Sequence, residues 1–317
     1  MIKITEKQTI LITGGAGYLG SVITEYFLQR NYRVIVYDNL LYNQQSLFNC
    51  VHFPDFHFVY GDVRNYNLLK QYVEKADIIF PLAAIVGAPA CEKVPEVTYA
   101  VNQHSIEWLA KQIKPHQKVV FPCTNSGYGT KSGEIYCTEE TPLEPISTYG
   151  ISKVNAEKAL LEMGNAVTLR LATVFGFSPR MRLDLLVNDF VFKAVNDRYI
   201  VLFEKDFKRN YLHIRDVPRV FEHAINNYEN MKGEAYNVGI PDANLSKEEL
   251  ALRIKKFIPD LFITYSEFNK DPDRRNYIIS NEKLLKTGFK FKYTLDDGIQ
   301  ELIKGYKILR FNQFKNI

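Results

Sequence analysis

Cysteine is scarce in this chain and tryptophan scarcer: 317 residues carry four Cys and one Trp. Cys50, Cys91, Cys123 and Cys137 fall without framework spacing, which excludes a small disulfide-stapled module and fits reduced thiols in a cytoplasmic protein. Long hydrophobic runs are missing too. The longest, over 78–91, is about 14 residues against the roughly 18 of a membrane span, and Pro81 and Pro89 interrupt it. No signal-type cleavage site precedes the first apolar run. Neither sign of charge dominates: 40 Lys and Arg against 36 Asp and Glu leave +4, too small an excess for a nucleic-acid-binding surface, although anionic small molecules remain as partners. Cys50, His52 and His57 lack a second pair of ligands, so no metal site is expected.

What is present is a chain able to bury a large core, 46% hydrophobic with 24% charged residues. Short β-rich runs over 8–13, 33–37, 56–60, 77–80, 118–121 and 167–171 alternate with helical patterns over 66–75, 97–113 and 149–163. That rhythm predicts an α/β fold with a doubly wound parallel sheet covered on both faces. After about Phe175 the alternation loosens. The expected division is a cofactor-binding domain over 1–175, rejoined by about 212–239, and a smaller C-terminal α/β substrate-binding lobe from 176–211 and 240–317. Within that lobe Ser246 and Glu249 have the spacing of a capping box.

Gly14, Gly17 and Gly20 fall as G-x-x-G-x-x-G between the first strand and the first helix. Side chains there would obstruct the tight turn, the approach of backbone amides to a diphosphate, or the packing of helix on strand. The helix N-terminus then offers free amides and the positive end of its dipole. Asp38 ends the next strand, 18 residues past Gly20, where a carboxylate can accept both hydroxyls of an adenosine ribose and repel a 2′-phosphate. This predicts NAD in preference to NADP.

The phrases TGGAGYLGS, DNL, GDVRN and LAA resemble the extended short-chain dehydrogenase/reductases, the NAD-dependent nucleotide-sugar epimerases and dehydratases. The resemblance implies a Rossmann-like fold and a cofactor site that also takes in Tyr18, Leu19 and Asn39, with Asp62 and Val63 beside the adenine. Leu82, Ala83 and Ala84 would lie on the ribose side, and Asn102 beside the catalytic centre. Tyr149 and Lys153, in STYGISK, share one helix face at a spacing of four. A phenol with a pKa of about 10 is a poor base near neutrality, and an ammonium beside it favours the phenolate that takes a proton from a sugar hydroxyl. Thr124 stands where the family carries a hydroxyl that bridges substrate and tyrosine.

Relatives that eliminate water carry Asp-Glu after that threonine; here Asn125 and Ser126 follow. Cysteine or glutamate, at the second position in 3,5-epimerising or decarboxylating relatives, is absent as well. Oxidation at one carbinol carbon, C4, remains, ending either in release of the ketone or in re-reduction to the epimer. The resemblance also implies that Asn125 and Ser126 lie at the substrate, with Arg180, Arg182, Asn188, Phe203, Arg209 and Arg275 at its diphosphate or base, where guanidinium forks and an aromatic face suit those groups. The phrases AAIVGAPAC, RLATVFGFSPRMRLDLLVNDFV and FKRNYLHIRD are similar to a subgroup that includes a GDP-manno-heptose 4-dehydrogenase of capsule polysaccharide biosynthesis. That likeness implies a GDP-sugar and, as in the family at large, a homodimer or higher oligomer. A non-catalytic NAD-binding regulator on the same fold is expected to have lost Tyr149 or Lys153, and both are retained.

Overall fold

A computed structural model describes residues 7–130, 136–266 and 276–309. Its centre is built from β1 (Thr9–Thr13), β2 (Arg33–Asp38), β3 (Phe56–Tyr60), β4 (Ile78–Pro81), β5 (Lys118–Thr124), β6 (Val167–Leu171) and β7 (Glu234–Val238). These pair in the order β3-β2-β1-β4-β5-β6-β7, every neighbour parallel. Parallel strands need both faces covered, and the alternation along β1 shows both covers. Ile10 and Ile12 join Val34, Phe80, Phe27 and Phe221 in one cluster, while Leu11 joins Ile35, Ile79, Leu69 and Leu160 in another. The helices Tyr18–Leu28 and Asp216–Asn226 cover the first face; Tyr66–Val73, Ser105–Ala110 and Thr148–Met163 cover the second. The fold is therefore Rossmann-like and doubly wound.

β1 has β2 on one side and β4 on the other, with Thr13 level with both Tyr37 and Pro81. The chain changes direction across the sheet there, which opens a crevice at the carboxyl ends of β1 and β4. The last strand, β7, lies beside β6 after the chain has left through the second lobe and come back.

One expectation fails in detail. The pattern over 97–113 predicts a single helix; the structure has Pro95–Tyr99, a π-helical turn at Ala100–His104, and Ser105–Ala110. The wide turn carries Asn102, whose amide bonds both backbone atoms of Ile85, receiving from its N–H at 2.8 Å and donating to its carbonyl at 2.9 Å. An apolar period does not register one extra residue in a turn.

In the second lobe Thr173–Phe175, Lys208–His213 and Asn244–Ser246 form a three-stranded sheet, which draws in residues 173–175 and 212–213 that the expected division gave to the cofactor domain, and Tyr199–Leu202 pairs with Phe262–Tyr265. Helices Leu186–Asn196, Lys247–Lys255 and Leu295–Tyr306 pack on them. The Ser246–Glu249 capping box forms, and Thr294–Asp297 makes a second one. All four cysteines are reduced and buried. No helix among the described residues is long and apolar enough to cross a membrane.

Candidate active site

The turn after β1 is shaped by contacts that leave no room for side chains. Gly14 sits at φ +71°, and a Cβ there would lie 2.6 Å from the backbone nitrogen of Ala83. A Cβ on Gly20 would lie 2.3 Å from the Gly14 carbonyl oxygen and 2.6 Å from Gly15 Cα. Gly17 caps the helix Tyr18–Leu28 without a side-chain hydrogen bond, and the first turn holds no acidic residue. The first-turn amides and the positive end of the dipole thus face the crevice without a side-chain cap, the arrangement a diphosphate completes.

Asp38 is buried at the end of β2, where its carboxylate accepts from Ala16 N at 2.9 Å and Leu40 N at 2.8 Å. Burial raises its pKa against those two bonds. Each oxygen keeps acceptor capacity for a ribose hydroxyl. The donor set therefore fits an unphosphorylated adenosine ribose next to a diphosphate. Asp62 is held by the Arg64 guanidinium, with Asn39 donating at 3.1 Å, and its carboxyl falls to about 2.

Across the same cleft, β5 ends at Thr124, whose hydroxyl donates to Ser126 Oγ at 2.9 Å and accepts from Ser126 N at 3.1 Å. Ser147 caps the helix Thr148–Met163 by accepting from Gly150 N, which sets Tyr149 in its first turn and Lys153 one turn on. Lys153 is buried with its ammonium 3.8 Å from the Phe121 ring centroid, and burial lowers its pKa to about 8 against the opposing pull of Cys123 and Glu157. Glu157 in turn makes a buried ion pair with Arg170, which also donates to the Tyr128 hydroxyl at 3.0 Å.

The cleft collects most of the residues singled out in the sequence. Its walls include Gly14, Gly17, Tyr18, Leu19 and Gly20 from the glycine turn, with Asp38, Asn39, Asp62 and Val63 from β2 and the turn after β3. Leu82, Ala83 and Ala84 line it beyond β4, and Thr124, Ser126, Tyr149, Lys153, Arg180 and Arg182 line it on the far side.

Others lie outside the lining. Asn102 is turned onto Ile85. Asn125 is buried, and neither polar atom of its side chain has a hydrogen-bond partner. Asn188 accepts from Gly176 N and donates to Tyr18 Oη and the Arg182 carbonyl, so it ties elements together behind the cleft. Phe203 stands in the second lobe, where its carbonyl accepts from Lys247 Nζ. Arg209 is buried with its guanidinium 5.8 Å from the Tyr277 ring centroid. Arg275 falls outside the described residues.

A family model described as the NAD dependent epimerase/dehydratase family matches residues 10–239. The chain belongs to that family. NAD is its cofactor. Among its relatives, the low-salt glycan biosynthesis protein Agl12 of Haloferax volcanii is 25% identical over 308 residues, 94% of this chain and 98% of its own. CDP-paratose 2-epimerase of Salmonella typhi is 25% identical over 334 residues, 92% of this chain and 97% of its own. Among solved structures, dTDP-glucose 4,6-dehydratase from Bacillus anthracis, determined in complex with NAD, is 28% identical with a TM-score of 0.81, covering 96% of this chain and 97% of that one.

The enzyme's cleft also contains residues that the sequence did not point to. Tyr42 and Gln44 line it from the loop after β2, Gly87 from the loop after β4, and Tyr277 from the C-terminal part of the chain. The only hint in the sequence was the proximity of Tyr42 to Asp38, and a loop residue's side of approach is set by how the loop returns.

Proposed function

We propose that the enzyme oxidises the C4 hydroxyl of a nucleotide-activated hexose or heptose and releases the 4-keto sugar, in surface-polysaccharide biosynthesis. The observation that carries this reading is the pair Asn125 and Ser126 directly after Thr124: Ser126 lines the cleft with Thr124, Tyr149 and Lys153, and Asn125 is buried behind it, so no carboxyl group stands at either position. An amide and a hydroxyl cannot supply the acid and base needed to eliminate water from the neighbouring carbons. A tyrosine base with a lysine behind it is sufficient for oxidising a carbinol.

Bound NAD supplies the hydride acceptor. Tyr149 takes the proton of the C4 hydroxyl, and the buried Lys153 ammonium lowers the free energy of the phenolate that does so. Its field is screened less there than in bulk water. Thr124 offers a hydroxyl for the same substrate oxygen, already oriented by Ser126. Ser126 is the second hydroxyl toward the sugar. Phe203 is assigned to the nucleotide base, and Arg209 and Arg275 to the diphosphate. Similarity to the GDP-manno-heptose subgroup supports GDP as the carrier, and the cofactor residues are those from Gly14 to Ala84 that line the cleft.

Mixing the NAD-loaded enzyme with a GDP-sugar tests this directly. Reduced nicotinamide accumulates in proportion to ketone if the product is released, and in Tyr149→Phe it accumulates about 10²- to 10⁴-fold more slowly. Turnover that leaves no reduced cofactor and yields an isobaric stereoisomer makes the enzyme a 4-epimerase.

A further inference from the structure

Two segments far apart in the chain close over the glycine turn. The loop after β2 starts at Asp38, whose carboxylate accepts from Ala16 N, and returns at Ser46, whose hydroxyl donates to the Ala16 carbonyl at 2.6 Å. Pinned at both ends on one residue of the turn, it places Tyr42 in the cleft wall. From the second lobe, Ser178 donates to the Tyr18 carbonyl at 2.8 Å and lies 3.2 Å from Ser21 Oγ. Tyr18 donates back to the Gly176 carbonyl at 2.8 Å, and Arg180 N donates to Ser178 Oγ at 3.3 Å. The backbone leading to Arg180 is thus fastened to the first turn of the helix Tyr18–Leu28. Arg180 is buried, lines the cleft, and holds its guanidinium 5.0 Å from the Tyr42 ring centroid.

We propose that Arg180, stacked on Tyr42, holds the diphosphate of NAD against the N-terminus of the helix Tyr18–Leu28, and is a cofactor residue rather than the substrate residue its sequence position implies. The proposal depends on NAD alone and stands whatever sugar is oxidised. Arg180 gives Nη1 to the Met181 carbonyl at 2.5 Å, and a guanidinium carries five N–H donors in a planar fork, enough to meet a phosphate as well. The neighbouring arginine is committed differently: Arg182 makes a two-point pair with Asp184. Burial and the charge of Arg182 both disfavour the Arg180 cation. A doubly charged anion at the helix end would relieve that repulsion.

The test is calorimetric titration of the full-length chain, stripped of cofactor, with NAD, ADP-ribose and adenosine, and of the NAD-saturated enzyme with GDP and UDP. In Arg180→Met the affinity for NAD and for ADP-ribose falls by about 10- to 100-fold, the loss of charge-assisted hydrogen bonds. Adenosine, which carries no phosphate, binds as before, and so do GDP and UDP. Arg180→Lys recovers part of the loss, and Tyr42→Leu weakens NAD severalfold by freeing the guanidinium. Unchanged NAD affinity, or a loss confined to GDP and UDP, overturns the assignment. If Arg180→Met does not fold, Arg180→Lys and Tyr42→Leu decide: native NAD affinity in both also overturns it.

Discussion

An ammonium group kept from water is held at a cost in folding free energy, and Lys153 bears that cost beside Phe121 with its pKa lowered to about 8 from the ordinary 10.5. Below pH 8 both the folded and unfolded states carry the proton, so the full penalty of burying the charge is present. Between pH 8 and 10.5 the folded state has released the proton while the unfolded state still binds it, and stability rises with pH. Lys153→Met should therefore melt above the native protein at pH 7, and the gap should shrink as the pH passes through that window. Thermal denaturation across pH measures it; a gap independent of pH contradicts the burial of a charged lysine. Its retention against stability points to chemistry. For Tyr149→Phe, kcat should fall by about 10²- to 10⁴-fold, the range of general base catalysis, with NAD affinity within twofold of native by titration.

Elements set these side chains in place, and two of them can be broken selectively. Gly20→Ala puts a methyl group against the Gly14 carbonyl and Gly15 Cα, atoms that cannot move without opening the turn. The variant should lose NAD binding in titrations, and its melting temperature should fall. The Glu157–Arg170 pair lies nearly out of water between the helix Thr148–Met163 and β6. Removing one partner of such a pair costs about 3–5 kcal/mol, so Arg170→Met should unfold at lower denaturant by that amount, with the buried Glu157 left uncompensated. The strands, the glycine turn and the Tyr149–Lys153 helix were legible because each is a local pattern of period two, of glycine spacing, or of four residues. The π-helical turn at Ala100–His104 was not, since Asn102 is committed to Ile85 by a tertiary contact. Asn188 also read as a ligand residue, whereas the fold uses it to join Tyr18, Gly176 and Arg182.

At the scale of the whole molecule, the same chemical types had to be sorted by position, and there the sequence was least informative. Arg180, Arg182 and Arg209 look equivalent in the chain, yet one stacks on Tyr42, one pairs with Asp184 and one packs near Tyr277. Only the return of the second lobe onto the glycine turn separates them. The family resemblance implies a homodimer or higher oligomer, for which light scattering should give a mass at least twice the 36.7 kDa of one chain; a monomeric mass would refute it.

The central claim is oxidation at C4 without loss of water. Mass spectrometry after incubating the enzyme with GDP-, UDP- and dTDP-sugars measures this most directly. The account predicts a product lighter by two hydrogens, formed best from a GDP-sugar. A product lighter by one water would contradict it, because Asn125 and Ser126 provide no acid and base for that elimination.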